Sequence, residues 1–259
     1  MRATRIRARD GSPMALAIMA RSSAQYAVMY PSCPGNRLSV LKPSGRNDGP
    51  MFTTISPSVH YFGSLVALLT TGNPDGTTNI TPISSAWSLG DHYVLGLSSH
   101  HQGYRNLIRT KEVVLNLPED SMAPAIERIS MTTGSEPVPA VKAGDYRTAH
   151  DKWALAGWDP MPGVEVAPNR IAQCPVHIEA ALVNSWCLED DLHAVQVRVQ
   201  QVHVRDDLAL DPSRVDVRTW QPMFYTFRHY FGKGSHLGQN VRAEQKLTAQ
   251  TSGPSGLRG

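Results

Sequence analysis

Cysteine is scarce in this chain, and what there is forms no pattern. Cys33, Cys174 and Cys187 are the only three in 259 residues, with no C-x-x-C and no metal-ligand spacing. A disulfide framework is excluded, and a reducing, cytoplasmic setting is expected. No H-E-x-x-H is present and the adjacent pair His100 and His101 stands alone, so no metal is expected. No run approaches the roughly 20 apolar residues of a membrane span, so no membrane partner is expected. No G-x-G-x-x-G follows a strand-like run, which argues against a dinucleotide fold of the Rossmann type. Internal repeats are also missing. Aromatic residues make up only 7% and interleave with no basic stripe, so nucleic acid is not an expected partner.

Positive charge is present but concentrated at one end. Residues 1–50 hold eight Arg and Lys against Asp10 and Asp48, with no Glu, a net of +6. The remainder is net −3, so the overall +3 says nothing about the partners of the folded part. The same fifty residues carry Pro and Ser clusters, and their one apolar run, Met14 to Ala20, is short. Three readings stay open: a marginal secretory signal, an Arg-rich organelle transit segment, or a start codon placed too early. The third is favoured, because Met51 directly precedes a strand-like FTTISPSVHYFG. In each case residues 1–50 are expected to be a disordered extension and residues 240–259 a disordered tail. The domain is then 51–239.

That body reads as strands with few helices. Leu65 to Thr71 is an apolar run followed by the turn residues Gly72-Asn73-Pro74-Asp75-Gly76. Strands are expected at Thr77 to Ile83, Tyr93 to Leu97, Val113 to Leu117, Arg170 to Val183 and His193 to Val204. In the last, VQVRVQQVHV alternates as a half-solvated antiparallel strand does. Helices are expected at Gln102 to Arg109, at Met122 to Met131 with Ser121 as its cap, and at His150 to Ala156, stopped by Gly157. The fold class expected is a mainly β, antiparallel barrel with a few short helices.

Two hydroxyl clusters stand out, Thr81 to Ser85 and Ser98 to His101. Both sit at strand ends, and the second precedes a helix. Free amides and hydroxyls around a helix start suit an anion such as a mononucleotide phosphate. They are equally compatible with two ordinary polar loops, because Ser and Thr favour turns for local reasons.

The order NPDG–xxNxxPxSSAW–strand–SSxxQxxxN–helix–VxNLP resembles the flavin reductase-like group of FMN-binding split-barrel proteins, flavoredoxin-like proteins among them. PSVHYFG, RIAQCPVHIEA and FRHYFGKGSHLG extend the resemblance over about residues 51–238. It implies a Greek-key split barrel that forms a homodimer and holds FMN without a covalent bond, with NADH or NADPH as hydride donor. Two functions follow from it: a flavin reductase serving a monooxygenase component or other redox partner, or a non-enzymatic electron carrier. A small-molecule oxidase or oxygenase is a third.

The resemblance also assigns roles. Ser98, Ser99 and Gln102 would bind phosphate, with charge from Arg105, and Asn106 would fix the loop. His100, His101 and Tyr104 replace the Lys or Thr usual there, which leaves the neutralising cation open. Arg105 is otherwise a solvated helix residue. The backbone of Thr81, Pro82, Ile83, Ser84, Ser85 and Ala86 would meet the ring edge and ribityl chain. Asn79 would join them or hold the turn. Trp87 would cover the ring, or else be a core or interface aromatic. His229 would approach the flavin's open face as the catalytic candidate, or be structural at a dimer contact. Arg228, Lys233 and Arg105 are candidates for a 2′-phosphate. Cys174 reads as a small buried residue.

Overall fold

The structure, a computed structural model, describes residues 52–57 and 59–238. The expected extension and tail, at 1–50 and 240–259, lie outside the described residues, as does Cys33.

Seven antiparallel strands make the main sheet: β2 (Ala67–Gly72), β3 (Thr78–Ile83), β4 (Ala86–Leu89), β5 (His92–Ser98), β6 (Glu112–Leu117), β7 (Val176–Glu189) and β8 (Leu192–Val204). Their order is β3-β2-β6-β7-β8-β5-β4. The two outermost strands, β3 and β4, are consecutive in the chain and only Ser84 and Ser85 separate them. The sheet must therefore curl until its edges approach. No ladder joins those edges among the described residues, and the result is a mainly β split barrel. A smaller sheet, β1 (Phe62–Leu65) with the hairpin β9 (Phe224–Thr226) and β10 (His229–Phe231), lies beside it.

β2 lacks alternation because both of its faces are covered. Ala67 and Leu69 join the barrel core with Leu95, Leu115, Ile178 and Val195, whereas Val66 and Leu68 join a second core outside the barrel. That outer core is built from α2 (Ala123–Ser130), the region of α3 (Lys152–Ala156), Ile171, Cys174 and Met223. The short helix α1 (Gln102–Thr110) ends in Lys111, whose φ of 67° turns the chain directly into β6.

The structure departs from the sequence reading at identifiable points. The first run is broken at Val66, whose N–H donates to Met223 O instead of continuing a strand. Arg170 to Val183 is not one strand either. Arg170 and Ile171 pair with Met161 and Pro160, a turn closed by Cys174 N to Ile171 O follows, and β7 begins only after Pro175, which has no N–H to give a ladder. β7 then runs six residues past Val183. In β8 the doublet Gln200-Gln201 breaks the alternation. A bulge absorbs the extra residue, so Val199, Val202 and Val204 oppose Ala180, Ile178 and Val176. Ser121 caps nothing: it lies in the 3-10 turn Asp120–Met122, and α2 starts at Ala123 after Met122, which makes no side-chain cap. α3 starts two residues later than His150, because Asp151 Oδ1 accepts Ala154 N and fixes the first turn.

Candidate functional site

The first hydroxyl cluster meets the helix that follows the second. α1 lies against β3 so closely that a Cβ on Gly103 would sit 2.5 Å from Thr81 Oγ1. A Cβ on Gly134 would sit 2.5 Å from Asn79 Oδ1, so the 132–135 segment closes over the same corner. Behind them a buried amide network fixes the geometry. Asn79 Nδ2 donates to Thr81 Oγ1 at 2.9 Å. Asn106 Nδ2 donates to Asn73 Oδ1 at 2.7 Å, and Gln102 Nε2 donates to Asn106 Oδ1 at 3.0 Å. Asn79 and Asn106 are both buried and committed to protein partners, which makes them supports of the site from behind.

The loop before α1 differs from the expectation of free amides. Ser98 N donates to His101 Nδ1, Ser99 N to Asp191 O, His100 N to Ser98 Oγ and His101 N to Ser98 O. Ser98 Oγ itself donates to Asp191 Oδ2 at 2.5 Å, and His100 Nε2 lies 3.8 Å from the same carboxylate. The donors at this helix end are thus the first-turn amides of Gln102, Gly103 and Tyr104, which a helix leaves without intrahelical acceptors. His101, in the N-cap position, makes no side-chain cap. Tyr104 turns inward, its hydroxyl 3.0 Å from His193 Nδ1 with the two rings 4.5 Å apart.

Positive charge arrives from elsewhere. Arg105 Nη2 donates to Gln102 Oε1 at 3.1 Å and also to Ser135 Oγ. Lys142, from the turn Ala140–Lys142, sits 5.0 Å over the Tyr146 ring. Lys152 opens α3; it is 4% exposed and its Nζ donates to Ile80 O at 2.8 Å on the free edge of β3. Burial, with Arg105 nearby, lowers Lys142 to about 8. Burial, with Lys142 nearby, does the same to Lys152. His101 is lowered to about 3, by burial first and then by both lysines, so it stays neutral. The sequence reading missed Lys142, Lys152 and Ser135. They lie in the irregular 131–152 stretch, and no local pattern marks them.

At the other end of the site, Ile83 and Ala86 point into the barrel core and Pro82 has no N–H, so these three offer main chain or nothing. Ser85 bridges outward: its Oγ is 2.8 Å from Tyr61 Oη, and its carbonyl accepts Gly96 N. Ser84 is half-buried in the same bend. Trp87 is not a core residue. It is 56% exposed on the edge strand β4.

The C-terminal hairpin connects here through Tyr61. Phe227 N donates to Tyr61 O, and the Tyr61 and Tyr225 rings meet edge-on at 5.5 Å. Phe227 and Arg228 form its turn with φ of 46° and 69°, which exposes His229 at the start of β10. Of the three 2′-phosphate candidates, Lys233 is committed elsewhere, donating to the carbonyls of Val217, Arg218 and Trp220.

Cys174 and Glu179 are structural. Cys174 is buried, and burial pushes its thiol well above the usual range. Glu179 is fully enclosed. Burial alone would raise its carboxyl, but the N–H groups of Glu165, Val164 and Val166 and His203 Nε2 at 2.7 Å hold it below the usual range. No helix among the described residues is long and apolar enough to cross a membrane.

Comparison with known proteins agrees with this architecture. The uncharacterized protein YdfE of Bacillus subtilis (strain 168) is 36% identical over 202 residues, spanning 77% of this chain and 98% of that protein. Flavoredoxin of Desulfovibrio vulgaris (Miyazaki F) superposes with a TM-score of 0.63 at 16% identity, over 75% of this chain and all of that one. Nitrilotriacetate monooxygenase component B from Bacillus cereus superposes with a TM-score of 0.59 at 15% identity, over 74% of this chain and all of that one. At those identities the two structures share the fold. The family model for the flavin reductase like domain matches residues 59–234, which takes in every strand and helix described above, and the chain belongs to that family.

Proposed function

We propose that the protein is an FMN-dependent oxidoreductase that takes a hydride from NADH or NADPH and passes the electrons to a separate acceptor. The observation that carries this reading is the junction of α1 with β3. It sets a helix start and Arg105 at one end and the Ser84–Ser85 bend at the other, on the split barrel of a flavin reductase-like chain.

The donor set fits a flavin mononucleotide. A phosphate of charge near −2 needs amides and a cation, which the start of α1 and Arg105 supply. The polar edge of the ring and the ribityl hydroxyls need main-chain donors and acceptors, which the Thr81–Ser85 segment supplies. Bound FMN contributes the two-electron chemistry. The chain contributes position: buried Asn79, bonded to Thr81, and buried Asn106, bonded to Gln102 and Asn73, hold the helix start against β3, so the donors are pre-aimed. His229, exposed on its hairpin and tied through Tyr61 to Ser85, is proposed to contact the nicotinamide or acceptor.

A homodimer is part of the reading. Trp87 lies opposite Val94, and Trp186 opposite Ala194, which faces Gly96. These residues share the face away from the barrel core, and both indoles are about half exposed. An apolar, aromatic face of this kind suits a second copy of the chain. The proposed electron acceptor is a monooxygenase component or another redox protein, consistent with the fold shared with a monooxygenase component B.

The test is spectroscopic. The protein is incubated with FMN, desalted, and assayed for NADH and NADPH oxidation with free FMN added. Retained flavin with turnover supports the reductase. Retained flavin without turnover by either donor favours the electron carrier, and neither retention nor turnover contradicts the flavin assignment.

A further inference from the structure

We propose that Lys142 and Lys152 join Arg105 to form the seat of a phosphomonoester dianion, so that the segment before and at the start of α3, and not the loop 98–101, supplies most of the neutralising charge. The inference rests on the flavin mononucleotide reading only for the identity of the ligand.

Among the described residues, Arg105, Lys142 and Lys152 make no ion pair with any carboxylate. Lys152 is nearly enclosed, and the Ile80 carbonyl takes one of its three protons without cancelling its charge. An enclosed ammonium is costly unless something anionic completes its shell. The three groups also act on one another: Arg105 lowers Lys142, and Lys142 lowers Lys152. Repulsion of this sort among neighbouring cations is relieved by one shared anion.

Arg105 is held by Gln102 and Ser135, within α1's first turn and the segment closing over it. Lys152 reaches Ile80, one residue before Thr81, against which Gly103 packs. Arg105, Lys152 and the first-turn amides therefore border one corner, and Lys142, which interacts with both cations, lies beside it. Asp191 is bound by Ser98 and lies 3.8 Å from His100, beside the loop 98–101. An anion approaching the loop 98–101 would meet that carboxylate.

Two ligands carry such a group, the 5′-phosphate of FMN and the 2′-phosphate of NADPH. The experiment compares Lys142→Met with the parent protein by fluorescence titration with FMN and with riboflavin, and by the KM for NADPH and for NADH. Met removes the charge that sits over the Tyr146 ring while keeping a similar side-chain length, and Lys142→Arg serves as the charge-retaining control. A loss of at least about tenfold in FMN affinity, with riboflavin unchanged and Arg restoring binding, supports the seat and assigns it to FMN. A rise in KM for NADPH alone supports the seat and assigns it to the 2′-phosphate. FMN and riboflavin weakened alike, or no change in any of these, overturns it. If the parent protein binds neither flavin nor nicotinamide, inorganic phosphate decides. A Tm raised by phosphate in the parent and not in Lys142→Met supports the seat, and no such rise in the parent overturns it.

Discussion

Gly103 of α1 and Thr81 of β3 are in such close contact that a methyl group on residue 103 would stand 2.5 Å from Thr81 Oγ1. This contact lets the start of a helix and the end of an edge strand border one site. Gly103→Ala would push the helix off β3 or force Thr81 out of its bond with Asn79. The expected outcome is a loss of about 1–3 kcal/mol in stability and a larger proportional loss of FMN binding. Urea denaturation and a flavin titration on the same preparation check both parts.

Arg105→Ala should weaken FMN binding by more than the roughly 1 kcal/mol of an exposed ion pair, if its guanidinium grips phosphate. Equal affinities for FMN in the parent and the variant would remove it from the site.

The pH dependence has opposite signs for stability and for binding. Lys142 and Lys152 are lowered to about 8 in the folded protein, against 10.5 ordinarily. Between those values the unfolded chain holds more protons, so these lysines make the ligand-free protein more stable as pH rises from about 8 towards 10.5. Anion binding needs the protonated lysines, so FMN affinity falls over the same range. Thermal unfolding and flavin titration between pH 7 and 10, ordinary working values around the two pKa limits, check the two slopes. Slopes of the same sign would contradict the electrostatics.

Glu179 is a structural carboxylate, gathering three consecutive amides and His203. Glu179→Gln should cost about 2–4 kcal/mol at neutral pH. Because the folded carboxyl is held below its ordinary value, its contribution is present above that value and disappears as pH falls through the depressed one. The gap between parent and variant in urea denaturation should therefore narrow on acidification. A gap that stays constant would mean that the charge is not what matters there.

Trp87→Glu should shift the protein from dimer to monomer in light scattering, because it places a charge on the proposed apolar contact face. A dimer that tolerates the change would put the interface elsewhere.

Much of the fold was legible because local signals agreed with their surroundings. Thr78 to Ile83 carries its own turn residues before it, and Gly157, with φ of 72°, stops α3 where the sequence says it should. Strand limits failed where a distant partner decides: Val66 leaves its strand for Met223, and Pro175 cuts a run that is apolar on both sides. The site was half legible. The hydroxyl clusters and Arg105 belong to short motifs, so their spacing carries information. The commitment of Ser98 to Asp191, 93 residues away, does not show in any local pattern. Neither does the arrival of Lys152 at Ile80, 72 residues away.

The most direct measurement is anaerobic rapid mixing of the FMN-loaded protein with NADH and, separately, with NADPH, following the visible flavin absorption. Bleaching by at least one donor, slowed about tenfold or more in His229→Ala with flavin still bound, is the predicted result. A loaded protein whose flavin neither donor bleaches would contradict the proposal that this chain takes a hydride from a nicotinamide.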